Sequence, residues 1–124
     1  MPTDLEIAVI DDDESFRVAL VESLSSLGYG ADGYASAEDY LRAIGGRPSF
    51  DCVVTDIHMP GMSGFDLKQL LRSRDSKVPV ILITARAEPG LEARVGAVGA
   101  VGLLRKPFES NALIDCLEKA LRAR

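Results

Sequence analysis

The chain has 124 residues, 47% of them hydrophobic and 27% charged, with a formal net charge of −5. That is enough for one ordinary domain and too little for two, and such a chain buries roughly two-thirds of its unfolded surface without needing staples. The acidic balance argues against the electrostatic footprint of a nucleic-acid binder and fits poorly with an anionic membrane surface.

Ile7-Ala8-Val9-Ile10 is a β-branched run that ends in Asp11-Asp12-Asp13-Glu14 and reads as a first strand. Phe16, Leu20, Leu24 and Leu27 then recur at helical spacing, and Gly28 supplies the stop. Phe16, with Val18 and Val21, can belong to the core or to a partner contact, and the spacing favours the core for Phe16. Ala31–Tyr34 is a weak second strand flanked by glycines, suited to a sheet edge. Ser36 precedes an acid at position 39 in a capping arrangement, and the helix it opens runs to about Ile44 before Gly45-Gly46-Arg47-Pro48 breaks it.

Asp51–Thr55 is the third strand, too short and too apolar for a helix, and it stops at Asp56. A Pro60-Gly61 turn follows. Ser63 with Asp66 repeats the cap pattern and opens a helix carrying Phe65, Leu67, Leu70 and Leu71. Val78–Thr84 is the strongest strand. Glu88–Val98 is the next predicted helix, poor in large apolar anchors and interrupted by Gly90 and Gly96, so it is expected to be the least firmly packed. Val101–Leu104 is the fifth strand. After Arg105-Lys106-Pro107-Phe108, Ser110 is expected to cap a last helix with Leu113, Leu117 and Leu121.

Strand and helix alternate five times, which predicts an α/β fold: a doubly wound, five-stranded parallel sheet with helices on both faces. At this size the flavodoxin-like order 2-1-3-4-5 is the common one, and its ligands bind beyond the carboxyl ends of the first and third strands. Residues 1–124 are expected to form a single domain with a core spanning about 5–121. Cys52 and Cys116 have no metal-ligand spacing and fall in apolar segments, as reduced core thiols of a cytoplasmic protein would. No run approaches the ~18 apolar residues of a membrane span, and the acidic start through Glu6 has no apolar signal core.

The strand ends carry the chemistry. The first strand ends in Asp11-Asp12, the third in Asp56, the fourth in Thr84, and Lys106 follows the fifth. Clustered carboxylates repel one another unless a cation compensates. An all-oxygen set suits a hard ion such as magnesium (or manganese). Lys106 and Thr84 offer the charged and hydroxyl donors that a phosphoryl oxygen accepts from, and a carboxylate can itself attack phosphorus. Asp13 and Glu14 are better read as acids favouring a helix N-terminus.

Together, Val9-Ile10-Asp11-Asp12-Asp13, Thr55 to Gly64, Ile83-Thr84-Ala85 and Lys106-Pro107-Phe108 resemble the receiver domain of two-component response regulators, the CheY-like family. The resemblance covers about Leu5 to Leu121. It implies that Asp56 is the phosphoacceptor, phosphorylated by a sensor histidine kinase or a phosphotransfer protein. It implies Asp12 as a direct metal ligand, Asp11 as a second acid acting largely through water, and His58 as a ligand through its backbone carbonyl. It makes Thr84 the switch hydroxyl, Lys106 the phosphate-binding lysine and Ala85 the small residue that leaves the phosphate accessible. It places His58 and Arg86 where loss of the phosphoryl group is tuned, and it implies a cis Lys106-Pro107 bond.

One departure concerns Leu103. The family commonly has a Tyr or Phe there that swings between rotamers, which an aliphatic side chain cannot do, so output is expected to rely on weaker coupling or on the Gly-rich fourth helix. The resemblance implies a signalling switch rather than an enzyme, catalysing only its own phosphorylation and dephosphorylation. It also implies a phosphorylation-dependent dimer through the fourth helix, fifth strand and fifth helix. The style resembles receivers that precede a helix-turn-helix output domain, and no output domain is visible in these residues. Two alternatives compete. A haloacid-dehalogenase-like phosphatase would want a second acid where His58 stands. A pseudo-receiver would be expected to have lost part of the set Asp11, Asp12, Asp56, Thr84 and Lys106.

Overall fold

A computed structural model of the protein describes residues 5–45 and 50–123. The breaker residues Gly46, Arg47 and Pro48 lie outside the described residues. Five strands alternate with five helices: β1 (Glu6–Ile10), α1 (Glu14–Ser26), β2 (Gly30–Tyr34), α2 (Ala37–Ile44), β3 (Cys52–Asp56), α3 (Gly64–Ser73), β4 (Val80–Thr84), α4 (Leu91–Ala97), β5 (Gly102–Arg105) and α5 (Ser110–Ala123). All pairings are parallel, as the alternating pattern predicts, and the sheet order is β2-β1-β3-β4-β5, the common one at this size.

Hydropathy decides the position of each strand. Every residue of β3 and β4 is buried, and both strands are central. The β2 sequence Gly-Ala-Asp-Gly-Tyr, partly exposed, takes one edge, and β5 takes the other. The two-residue period of a strand sends alternate side chains to opposite faces. Ala8, Val53, Val80 and Leu82 join a core with residues of α2, α3 and α4. Ile7, Val9, Cys52, Val54, Ile81 and Ile83 join a second core with residues of α1 and α5. Cys52 is buried and Cys116 partly so; both are free, and burial pushes both thiols up, that of Cys52 to about 12.

Several boundaries differ from the sequence-based expectation, each for a local reason. β4 begins at Val80 rather than Val78, because Pro79 has no N–H to give the ladder; its carbonyl instead accepts from Val53 N–H. α4 begins at Leu91 rather than Glu88, because Pro89 leads into Gly90, which caps the helix with φ 77°. It carries two buried residues, Leu91 and Val95, and no side-chain cap. β3 and β5 each reach one residue further than expected, since Asp56 pairs with Ile83 and Arg105 with Thr84. Ser110 is the first residue of α5 rather than its cap; the carbonyl of Glu109 accepts the first helical bonds, from Ala112 and Leu113. Ser36 and Ser63 do cap their helices, and Ser63 forms a complete capping box with Asp66.

Candidate phosphoryl and metal site

Two neighbouring parallel strands place the three acids. β1 hands the chain to Asp11 and Asp12, and β3 ends in Asp56 beside it. One carboxylate oxygen from each of Asp11, Asp12 and Asp56 lies within 4.8 Å of the others. Asp11 is fully buried, Asp56 nearly so, and Asp12 is exposed. An all-oxygen set with one solvent-facing member suits a hard divalent cation that keeps several waters.

Lys106 follows β5, the edge strand opposite β2. Its Nζ donates to Asp11 Oδ2 at 2.7 Å and to Asp56 Oδ2 at 3.2 Å. The same ammonium lies 4.1 Å from the centroid of the Phe16 ring, which packs edge-on against Phe108. Burial pulls Lys106 down, but the bond to Asp11 and the nearby charges of Asp11 and Asp56 outweigh it, so the ammonium ends above the ordinary lysine value. Burial pushes the Asp11 carboxyl up, against the pull of Lys106 and of the Asp13 N–H that it accepts. The Lys106-Pro107 bond is cis, as the resemblance implied.

The other residues of interest surround this core. Thr84 is fully buried, and its hydroxyl is committed to its own loop: it donates to the Arg86 carbonyl at 3.2 Å and accepts from Arg86 N–H at 3.0 Å. Ala85 and Arg86 are exposed. His58 N–H donates to Asp56 Oδ1 at 3.2 Å, which ties the first turn of the following loop to the acid it follows. The His58 ring is directed elsewhere, with Nε2 at 2.9 Å from Glu88 Oε1; the approach is close but lacks hydrogen-bond alignment. Among the described residues the acid cluster does not include that ring. Leu103 is half-buried at the edge of the α2–α3–α4 core. Asp13 caps α1 by accepting from Phe16 N–H, the helix-terminus role read from the sequence.

Gly64 has a steric reason to be glycine. A Cβ there would sit 2.5 Å from the Asp56 carbonyl oxygen, so the α3 backbone passes directly over the end of β3. Several contacts were not anticipated from the sequence. Arg17 Nη1 donates to the Asp11 carbonyl at 2.7 Å, Phe16 faces Lys106 as well as the core, and Glu88 reaches His58. Arg17 and Phe16 lie on the turn of α1 that follows Asp13, and that proximity in sequence was the available signal. Glu88 carried none.

Comparison with known proteins agrees with this fold. The family model described as the response regulator receiver domain matches residues 7–118. The chain is 37% identical over 122 residues to the transcriptional regulatory protein FixJ of Bradyrhizobium diazoefficiens, covering 98% of this chain and 59% of that protein. It therefore spans less than two-thirds of that relative's length. The solved FixJ-N structure superposes with a TM-score of 0.89 at 30% identity, covering 98% of this chain and 97% of that one. The chemotaxis protein CheY4 of Vibrio cholerae superposes with a TM-score of 0.84 at 27% identity, over 96% of this chain and 100% of that one.

Proposed function

The chain belongs to the response regulator receiver domains, and from that premise we propose that it is a phosphoacceptor switch working on Asp56. Receiver domains are signalling domains rather than conventional enzymes, and the chemistry assigned here is confined to the protein's own side chain. The observation that carries the reading is the position of Lys106, whose ammonium bridges Asp11 and Asp56 at the strand ends.

In this reading an Asp56 oxygen attacks the phosphorus of a phosphohistidine on a sensor kinase or phosphotransfer protein. The new oxygen–phosphorus bond forms as the phosphorus–nitrogen bond breaks, and the imidazole leaves. A magnesium or manganese ion held by Asp11, Asp12, Asp56 and the His58 backbone carbonyl would neutralise charge on the transferring group. Lys106 supplies a second positive partner for the phosphoryl oxygens. Thr84 leaves the Arg86 backbone to donate its hydroxyl to the phosphoryl group, and the β4–α4 loop follows. Such a local charge change biases a two-state element, here that loop with α4 and β5.

The short α4, with its two buried anchors, supports assigning the moving part to this face. The same face, formed by α4, β5 and α5, is the proposed surface for phosphorylation-dependent dimerisation or for an output domain of the kind FixJ-like regulators imply. No helix among the described residues is long and apolar enough to cross a membrane, and we place the switch in the cytoplasm without direct contact to nucleic acid.

Labelling with a small phosphodonor tests the reading. With magnesium present, the intact mass should rise by one phosphoryl group in wild type and stay unchanged in Asp56→Asn. Equal labelling of the two proteins, or none in wild type with any donor or kinase, would overturn it.

A further inference from the structure

The loop between β3 and α3 must hold the His58 carbonyl in place, and its backbone has few outside supports. Ile57 N–H donates to the Ile83 carbonyl at 2.9 Å where the loop begins, and Ser63 is locked into the α3 capping box where it ends. Among the described residues, one hydrogen bond ties the backbone of residues 59–62 to another element: Met62 N–H donates to Glu38 Oε2 at 3.1 Å. Glu38 sits in the first turn of α2, on the other side of β1 in the sheet order. Gly61 shows how closely the loop passes over this carboxylate. With φ 76°, it has no Cβ, and one built there would lie 2.6 Å from Glu38 Oε2.

We propose that Glu38 is a positioning residue for the metal site, acting through Met62 N–H on the loop that carries the His58 carbonyl. The inference rests on the receiver reading of Asp11, Asp12 and Asp56 and extends it to a residue outside the acid cluster. A carboxylate accepting from a backbone amide is a charge-assisted bond, stronger than a neutral one. Removing an outer partner that orients a metal ligand typically weakens metal binding by tenfold or more.

A simpler role for Glu38 is to place an acid near the positive end of α2. The two roles respond differently to conservative changes. Glu38→Gln keeps an acceptor oxygen at the same reach and removes the charge. Glu38→Asp keeps the charge and loses the reach.

The experiment measures magnesium affinity of the full chain by titration, together with hydrogen exchange at the Met62 amide, which reads the loop without metal. For Glu38→Ala and Glu38→Asp, affinity should fall about tenfold and Met62 exchange should accelerate. Glu38→Gln should hold affinity within about threefold of wild type, since the bond survives in neutral form. Unchanged affinity in Glu38→Ala, or loss in Glu38→Gln with retention in Glu38→Asp, would overturn the positioning role while leaving the receiver reading intact. Failure of wild type to bind magnesium at all would overturn both.

Discussion

Lys106 Nζ sits 2.7 Å from Asp11 Oδ2 and 3.2 Å from Asp56 Oδ2, so one ammonium neutralises part of a three-carboxylate cluster. In the proposed reading it is also a partner of the incoming phosphoryl group. Replacing it with an uncharged chain should therefore have opposite effects on two ligands. For Lys106→Met we expect tighter magnesium binding, by roughly three- to tenfold, because an uncompensated carboxylate cluster attracts a cation more strongly. Binding of beryllofluoride, a phosphoryl mimic, should be lost. Parallel calorimetric titrations check both, and a fall in magnesium affinity would contradict the assignment of Lys106.

The buried Asp11 carboxyl sets a pH dependence. Burial raises its pKa above the ordinary carboxylate value of 3.8, so its folded form holds a proton more tightly than the unfolded chain does. Its contribution to stability is therefore fully present below about pH 3.8 and is lost as pH rises through the folded value. Asp11→Asn removes the titration, so it should raise stability relative to wild type at neutral pH while abolishing magnesium binding. The gap in urea midpoint between mutant and wild type should widen as pH rises from about 4 towards neutrality. Lys106 is also raised, so its contribution persists below 10.5 and disappears only as pH climbs through its folded value. A midpoint gap independent of pH would show that Asp11 does not carry this effect.

The sheet order and the convergence of Asp11, Asp12, Asp56 and Lys106 were legible because they depend on features that sequence displays directly. Strands rich in Val and Ile alternate with helical spacings, and acids stop the first and third apolar runs. Boundaries were less legible where backbone geometry competed with composition. Pro79 and Gly90 each shortened an element by two or three residues relative to its apolar pattern. Side-chain contacts between distant elements left no sequence signal. Glu38 was visible only as part of a helix start, and its bond to Met62 depends on how α2 and the β3–α3 loop pack. Glu88 lay in a stretch read as helix, and its approach to His58 exists because Pro89-Gly90 makes a turn there instead.

That turn makes the His58–Glu88 contact a bridge between the loops after β3 and β4. It joins His58, one of the two positions that the family resemblance links to phosphoryl loss, to the loop that carries the other, Arg86. Glu88→Ala should free the imidazole and admit water more readily, shortening the phosphoryl lifetime by about two- to fivefold, the scale of a modest change in site closure. Decay of radiolabelled phosphoprotein after removal of the donor measures it. An unchanged lifetime would assign the contact to the resting state alone.

Leu103 offers no ring to swing, so the signal should pass through Thr84 and the β4–α4 loop. Thr84→Ala is expected to retain phosphorylation of Asp56 yet lose most of the amide shifts on α4. Leu103→Ala should cost about 2 kcal/mol or less from a half-buried position and leave those shifts in place. NMR spectra of both variants with and without the phosphoryl mimic decide between the two routes, and loss of the shifts in Leu103→Ala would assign the relay to that residue after all.

In the proposed switch, Asp56 accepts a phosphoryl group in a site completed by magnesium, and α4 responds. Titration of beryllofluoride into wild type and Asp56→Asn, followed by amide resonances, tests it most directly. Wild type should bind beryllofluoride only with magnesium present, with shifts at Thr84, along α4 and in β5, and Asp56→Asn should not bind it. Binding without magnesium, equal binding to the mutant, or shifts confined to the site with α4 silent would contradict it.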